Sequence, residues 1–183
     1  DADYFSQHMH NCCLDNLGDM LSNGTVISET MIEPPKSFET ACNIAAQIIA
    51  QVASSQYGGQ TITLSHLVPF VEVSRKKHRK QLLEDAKELG ITYDKDKLNQ
   101  LVEKKVRKSV KDGMQMLQYQ VITLMTTNGQ APFISIFMYL NEVPESQKDD
   151  LAMMIEEMLH QRILGVKNEQ GVYITPAVPQ LLY

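Results

Sequence analysis

Apolar residues recur at helical spacing over most of the chain. From Phe38 to Ser54 nearly every position is apolar or small except Glu39, Asn43, Gln47 and Gln51. Those four recur every four residues, so they make one narrow polar stripe on an otherwise buried helix. Pro34 and Pro35 bar helix ahead of it, Ser37 is a natural N-cap, and Gly58-Gly59 closes it with a turn. The pattern predicts a second helix over about 65–89, with Pro69 in its first turn and Gly90 at its end. A third follows over 94–125, with Leu98, Val102, Val106, Val110, Leu117 and Val121 on one face and Gly113 weakening it internally. The loop at 90–93 is short enough to force an antiparallel return, giving an αα-hairpin over about 65–125. Ser146 with Asp149 resembles a capping box for a helix at 146–164. Extended segments are expected at 4–14, at 133–140 and at 172–175, with a helical turn at 17–21 and a β-branched stretch at 25–31. Strands with helices between them indicate an α/β arrangement.

Composition adds exclusions more than direction. The 183 residues are 43% hydrophobic and 21% charged, as in an ordinary globular domain. A net charge of −5 gives no bulk attraction to nucleic acid, and no nucleic-acid binding is expected. Apolar runs such as 133–140 are too short to cross a bilayer, so no membrane association is expected either. Three cysteines make no paired framework, and adjacent Cys12 and Cys13 are poorly placed to bond to each other. The expected compartment is a reducing cytoplasm. The chain starts at Asp1 without Met and stops inside the apolar run 181–183, which reads as an internal piece of a longer polypeptide.

Three places carry candidate chemistry. In HMHNCC at 8–13, a strand would turn His8, His10 and Cys12 to one face and Cys13 to the other. That spacing suits a zinc or copper site, an activated thiol, or a buried strand whose cysteines act as small apolar residues. Glu33 and Lys36 flank the prolines before the first long helix; a Lys beside the free N–H groups of a helix start suits a triphosphate. The basic run at 75–80 reads as a solvated face, and Asn128-Gly129-Gln130 as a turn before a strand.

Taken together, HMHNCC, EPPKSFETACNIAAQIIAQVASSQYGGQ at 33–60 and TTNGQAPF at 126–133 resemble the large subunit of the oxygen-independent (class III) ribonucleotide reductases. The resemblance implies the first part of a ten-stranded α/β barrel, with residues 1–183 a single partial domain and the helical hairpin at a dimer interface. It implies reduction of ribonucleoside triphosphates to deoxyribonucleotides by radical chemistry, controlled by deoxynucleotide or ATP effectors. On the match to Asn11-Cys12, Cys12 is the substrate-facing catalytic thiol. On EPPK and AAQ, Glu33, Lys36 and Gln47 contact the effector, joined by Lys80, with Arg79 the alternative one register away. Asn128 and Gln130 belong to a substrate loop, and no metal site is expected within the chain. The glycyl radical, the S-adenosylmethionine/iron–sulfur activating enzyme that makes it, and a zinc site are implied for other parts of the parent protein, with formate as reductant. A stand-alone nucleotide-sensing or interaction domain, or a different glycyl-radical enzyme, are the alternatives.

Overall fold

A computed structural model describes residues 12–55, 58–124 and 132–183. Strand β1 (Cys12–Leu14), helix α1 (Leu17–Asn23) and the hairpin of β2 (Thr25–Ile27) and β3 (Thr30–Ile32) precede the long α2 (Phe38–Ser55). Strand β4 (Gly59–Thr63) passes through a 3-10 turn at Leu64–Leu67 into α3 (Val68–Glu88), and α4 (Lys95–Thr123) returns beside it. Then come β5 (Ile134–Phe137), α5 (Lys148–Leu164), the short pair β6 (Val166–Lys167) and β7 (Tyr173–Ile174), and β8 (Gln180–Leu182).

β1, β4, β5 and β8 form one parallel sheet in that order, with helices in every crossover. One face packs on the helical layer. Ile62, Ile134 and Ile136 are fully buried there, and Gln60 Nε2 donates to Ile49 O of α2 at 3.0 Å. The other face, with Cys12, Leu14, Phe133 and Phe137, is exposed. Parallel sheets are ordinarily covered on both faces, which makes this bare face the unusual surface of the fold.

In the helical layer α2 runs along α4 and meets α3 chiefly near its own start. The Phe38 ring and Cys42 Sγ press into the place where Gly113 lacks a side chain; a Cβ there would stand 2.6 Å from Phe38 Cε1. The glycine that weakens α4 as a helix is what lets α2 approach it. Arg75 of α3 bonds Glu72, Glu103 of α4 and Asp150 of α5, at 2.7, 2.7 and 2.6 Å, so one guanidinium joins three helices. No helix among the described residues is long and apolar enough to cross a membrane.

Several local expectations differ from the structure. Strand β4, an inner strand of the sheet, starts at Gly59 where a turn was expected, because Gly59–Thr61 pair with β1 on one side and Gln60–Thr63 with β5 on the other. The stretch 25–31 folds into a hairpin through Ser28 (φ 49°) and Glu29 (φ 64°). The 172–175 segment pairs only with β6, and β8 takes the sheet edge instead. The Ser146 capping box does not form: a 3-10 turn at Glu145–Gln147 leads into α5, which has no side-chain cap. The strand expected at 4–14 is seen from Cys12 onward; the rest lies outside the described residues.

Candidate functional site

Cys12 and Leu14 are exposed on the bare sheet face, whereas Cys13 between them turns toward the helices. Cys13 Sγ donates to Asp15 Oδ1 at 2.9 Å. Burial pushes the Asp15 carboxyl above its ordinary value against the opposing hydrogen bond from Cys13. The two thiols therefore occupy different surroundings, and only Cys12 shares a face with open space. His8, His10 and Asn11 lie outside the described residues, as do Asn128 and Gln130. Among the described residues no group of three or more His, Cys, Asp or Glu could hold a metal ion.

Cys12 is paired with Gly59, and Gln60 N–H donates to Phe133 O at 2.8 Å, so the entrances to β1, β4 and β5 are level. The opposite ends of the same strands open onto a cleft of about 530 Å³ lined by Leu14, Thr63, His66, Phe137 and Glu142, among others. There Thr63 Oγ1 bonds the Glu142 carboxylate and lies 3.0 Å from Ser65 Oγ. Burial lowers the His66 pKa, with Glu142 opposing, and its Nδ1 has no hydrogen-bond partner. Reading these residues from sequence required knowing that β4 exists, since polar groups at the carboxyl ends of parallel strands are informative only once the strands are placed.

The start of α2 departs from the expected anion site. Phe38 N–H donates to Ser74 Oγ at 2.8 Å, Thr40 N–H to Ser37 Oγ at 3.2 Å and Ala41 N–H to Ser37 O at 3.0 Å. These amides are already taken, so they cannot cradle a phosphate. What remains is side-chain charge: Lys36 is fully solvated and stands 3.8 Å from Glu33. Gln47 is exposed farther along α2, and Lys80 is exposed on α3, 3.8 Å from Glu84.

These four do not converge within one chain. Asn43 of α2 accepts from Gln120 Nε2 of α4 at 2.9 Å, which places Gln47 toward the end of α4. Arg79 donates to Asn99 at 2.9 Å, which places Lys80 near its beginning. The stretch of α4 between Asn99 and Gln120 rises by about 30 Å. A single ligand cannot bridge Gln47 and Lys80 of the same chain.

Between them, where three helices meet, is a cluster the sequence did not single out. His78 Nε2 lies 2.8 Å from Ser109 Oγ, which also hydrogen-bonds the Glu39 carboxylate. With the hydroxyl donating to Glu39, it accepts from Nε2–H, and His78 Nδ1 is left a buried acceptor without a partner. Burial lowers the His78 pKa, Glu39 opposes, and Lys105 and Lys77 reinforce it. Burial raises Glu39, but hydrogen bonds from Ser109, its own backbone and Ser37, with His78 nearby, outweigh it and hold the carboxyl below its ordinary value.

The family described as anaerobic ribonucleoside-triphosphate reductase matches residues 1–182. Anaerobic ribonucleoside-triphosphate reductases of Haemophilus influenzae and Escherichia coli are 38% and 39% identical over 178 and 170 residues, 96% and 92% of this chain. That of Enterobacteria phage T4 is 39% identical over 94% of the chain. The chain spans about a quarter of these relatives, 23%, 22% and 26% of their lengths. The crystal structure of the anaerobic ribonucleotide reductase from Thermotoga maritima in complex with dATP and CTP superposes with a TM-score of 0.55. It is 17% identical, over 85% of this chain and 26% of that one, a likeness of fold.

Proposed function

Because the chain belongs to the anaerobic ribonucleoside-triphosphate reductase family, we propose that it forms the first part of that enzyme's catalytic barrel. In this reading residues 1–183 are one partial domain. The four parallel strands belong to a ten-stranded barrel whose interior is the bare face, and α2 with the α3–α4 hairpin makes a homodimer interface. The parent enzyme reduces ribonucleoside triphosphates to 2′-deoxyribonucleoside triphosphates. The observation that carries the reading is the exposure of Cys12 on the bare side of a parallel sheet, while Cys13 is held by Asp15 on the other.

Radical removal of a ribose hydroxyl needs an S–H that gives up a hydrogen atom, and the exposure of Cys12 on the bare face supports that role for it. Asn128 and Gln130 are assigned to the substrate loop. The glycyl radical, its activating enzyme, the zinc site and formate involve groups other than these 183 residues. None of the three cysteines forms a Cys-x-x-Cys pair, and no step here passes through those groups.

For the effector the geometry favours a site shared between two copies. Lys36 and Glu33 stand at the start of α2, Gln47 lies farther along it, and Lys80 is displaced toward the hairpin tip. A symmetric helix pairing brings Lys80 of the second copy to the α2 of the first. Lys36 and Lys80 then neutralise the triphosphate while Glu33 and Gln47 contact sugar or base.

The test is anaerobic turnover by the full-length polypeptide with its activating enzyme and formate. The expected product is a 2′-deoxyribonucleoside triphosphate, formed at a rate that depends on added deoxynucleotide. An activated enzyme that forms no deoxynucleotide from any of the four ribonucleoside triphosphates would overturn the reading.

A further inference from the structure

Phe133 is the residue just before β5. Its carbonyl accepts from Gln60 N–H, and Gln60 is paired with Ile134, so Phe133 is level with Gly59. Gly59 is in turn paired with Cys12. The three residues make one cross-strand row, and in-register parallel neighbours point to the same face. Adjacent strands are about 4.8 Å apart, so roughly 10 Å separates the Cys12 and Phe133 backbones, with no side chain between them.

The Phe133 ring occupies that gap. A Cβ on Gly59 would stand 3.0 Å from Phe133 Cδ1 and 3.4 Å from Cε1, so the ring leans across the glycine in the direction of Cys12. It is nevertheless 59% exposed. One side of the ring rests on Gly59, and the rest is open to whatever enters beside the thiol. Neither feature serves the sheet. Glycine inside a strand forgoes side-chain packing, and an exposed phenyl forfeits its burial energy. Both sit next to the exposed thiol.

We propose that Phe133 is a substrate-positioning residue, with Gly59 providing the clearance its ring needs. The ring stacks on the nucleobase of a ribonucleoside triphosphate and so sets the attached ribose against Cys12. The inference rests on reading Cys12 as the substrate-facing thiol. Base–aromatic stacking is tolerant of base identity because every base has a π-face, as an enzyme acting on several ribonucleotides requires.

The experiment uses full-length enzyme without radical activation and follows alkylation of Cys12 by iodoacetamide, read by mass spectrometry, against ribonucleoside triphosphate concentration. In Phe133→Leu, of similar bulk but without a π-face, the concentration that protects Cys12 should rise about tenfold. KM of the activated enzyme should rise in parallel with kcat little changed, and effector affinity should stay as in wild type. Phe133→Tyr, which keeps the π-face, should restore protection. Gly59→Ala, which pushes the ring aside, should weaken protection as Leu does. Wild-type protection in Phe133→Leu overturns the proposal; if that variant does not fold, wild-type protection in Gly59→Ala does so. Absence of protection in the wild type itself, with turnover intact, would instead remove Cys12 from the substrate site and the proposal with it.

Discussion

His78 sits in a basic run that composition assigns to solvent, yet its ring closes the junction of α2, α3 and α4 through Ser109 and Glu39. Its pKa is lowered, so the neutral ring is the folded form. As pH falls below the ordinary value of 6.5, the unfolded chain takes up the proton first. The stability this group contributes is therefore present above that pH and lost on the acid side. Denaturant midpoints measured between pH 7 and 5 should fall less steeply for His78→Gln than for the wild type. His66, also lowered, is common to both proteins, so the difference isolates His78. Identical slopes would mean that the ring is not held neutral. At this scale sequence was least informative. Cys12, Lys36 and Gln47 could be named from a motif, but the partners of His78 are 31 and 39 residues away, and only packing joins them.

The long helices were legible because their apolar periodicity is a property of the chain itself. The expected spans 38–54, 65–89, 94–125 and 146–164 correspond to α2, α3, α4 and α5 within a few residues. The strands were less so. β4 and β8 are five and three residues long, and their identity comes from neighbours on the sheet more than from their own pattern. Packing partners were hidden too: nothing in the periodicity of α2 says that it packs chiefly on α4, where Gly113 leaves room for the Phe38 ring. One polar tie between α5 and the hairpin is Arg75, whose side chain is 21% exposed and whose partner Asp150 is 15% exposed. The Asp150 hydrogen bond leads the contacts that push the guanidinium pKa further up. Removing it leaves a largely buried carboxylate unpaired. Arg75→Ala should cost about 2–3 kcal/mol in urea unfolding, with Arg75→Lys recovering part of it. A loss below about 0.5 kcal/mol, typical of a surface pair, would contradict this assignment.

For the whole molecule, a sheet bare on one side is a face that parallel sheets ordinarily cover, and the proposed effector residues, spread along some 30 Å of bundle, fit a site shared between two copies. Lys36→Ala and Lys80→Ala should each weaken deoxynucleotide binding to the full-length enzyme by roughly 10- to 150-fold, the effect of one charge-assisted contact. If the site is shared across a dimer, mixing the two variants in equal amounts restores about a quarter of the tight sites by calorimetry, because about half of the randomly exchanged dimers are heterodimers and each of those has one site with both lysines. Failure of the mixture to regain any tight site would place both lysines on one chain's site or on none. The account turns above all on which of two adjacent thiols meets the substrate. The decisive measurement is anaerobic ribonucleotide reduction by full-length Cys12→Ser and Cys13→Ser, both with intact effector binding. Turnover should fall on the order of a thousandfold for Cys12→Ser and stay within a few-fold of wild type for Cys13→Ser. Normal turnover by Cys12→Ser would contradict the account.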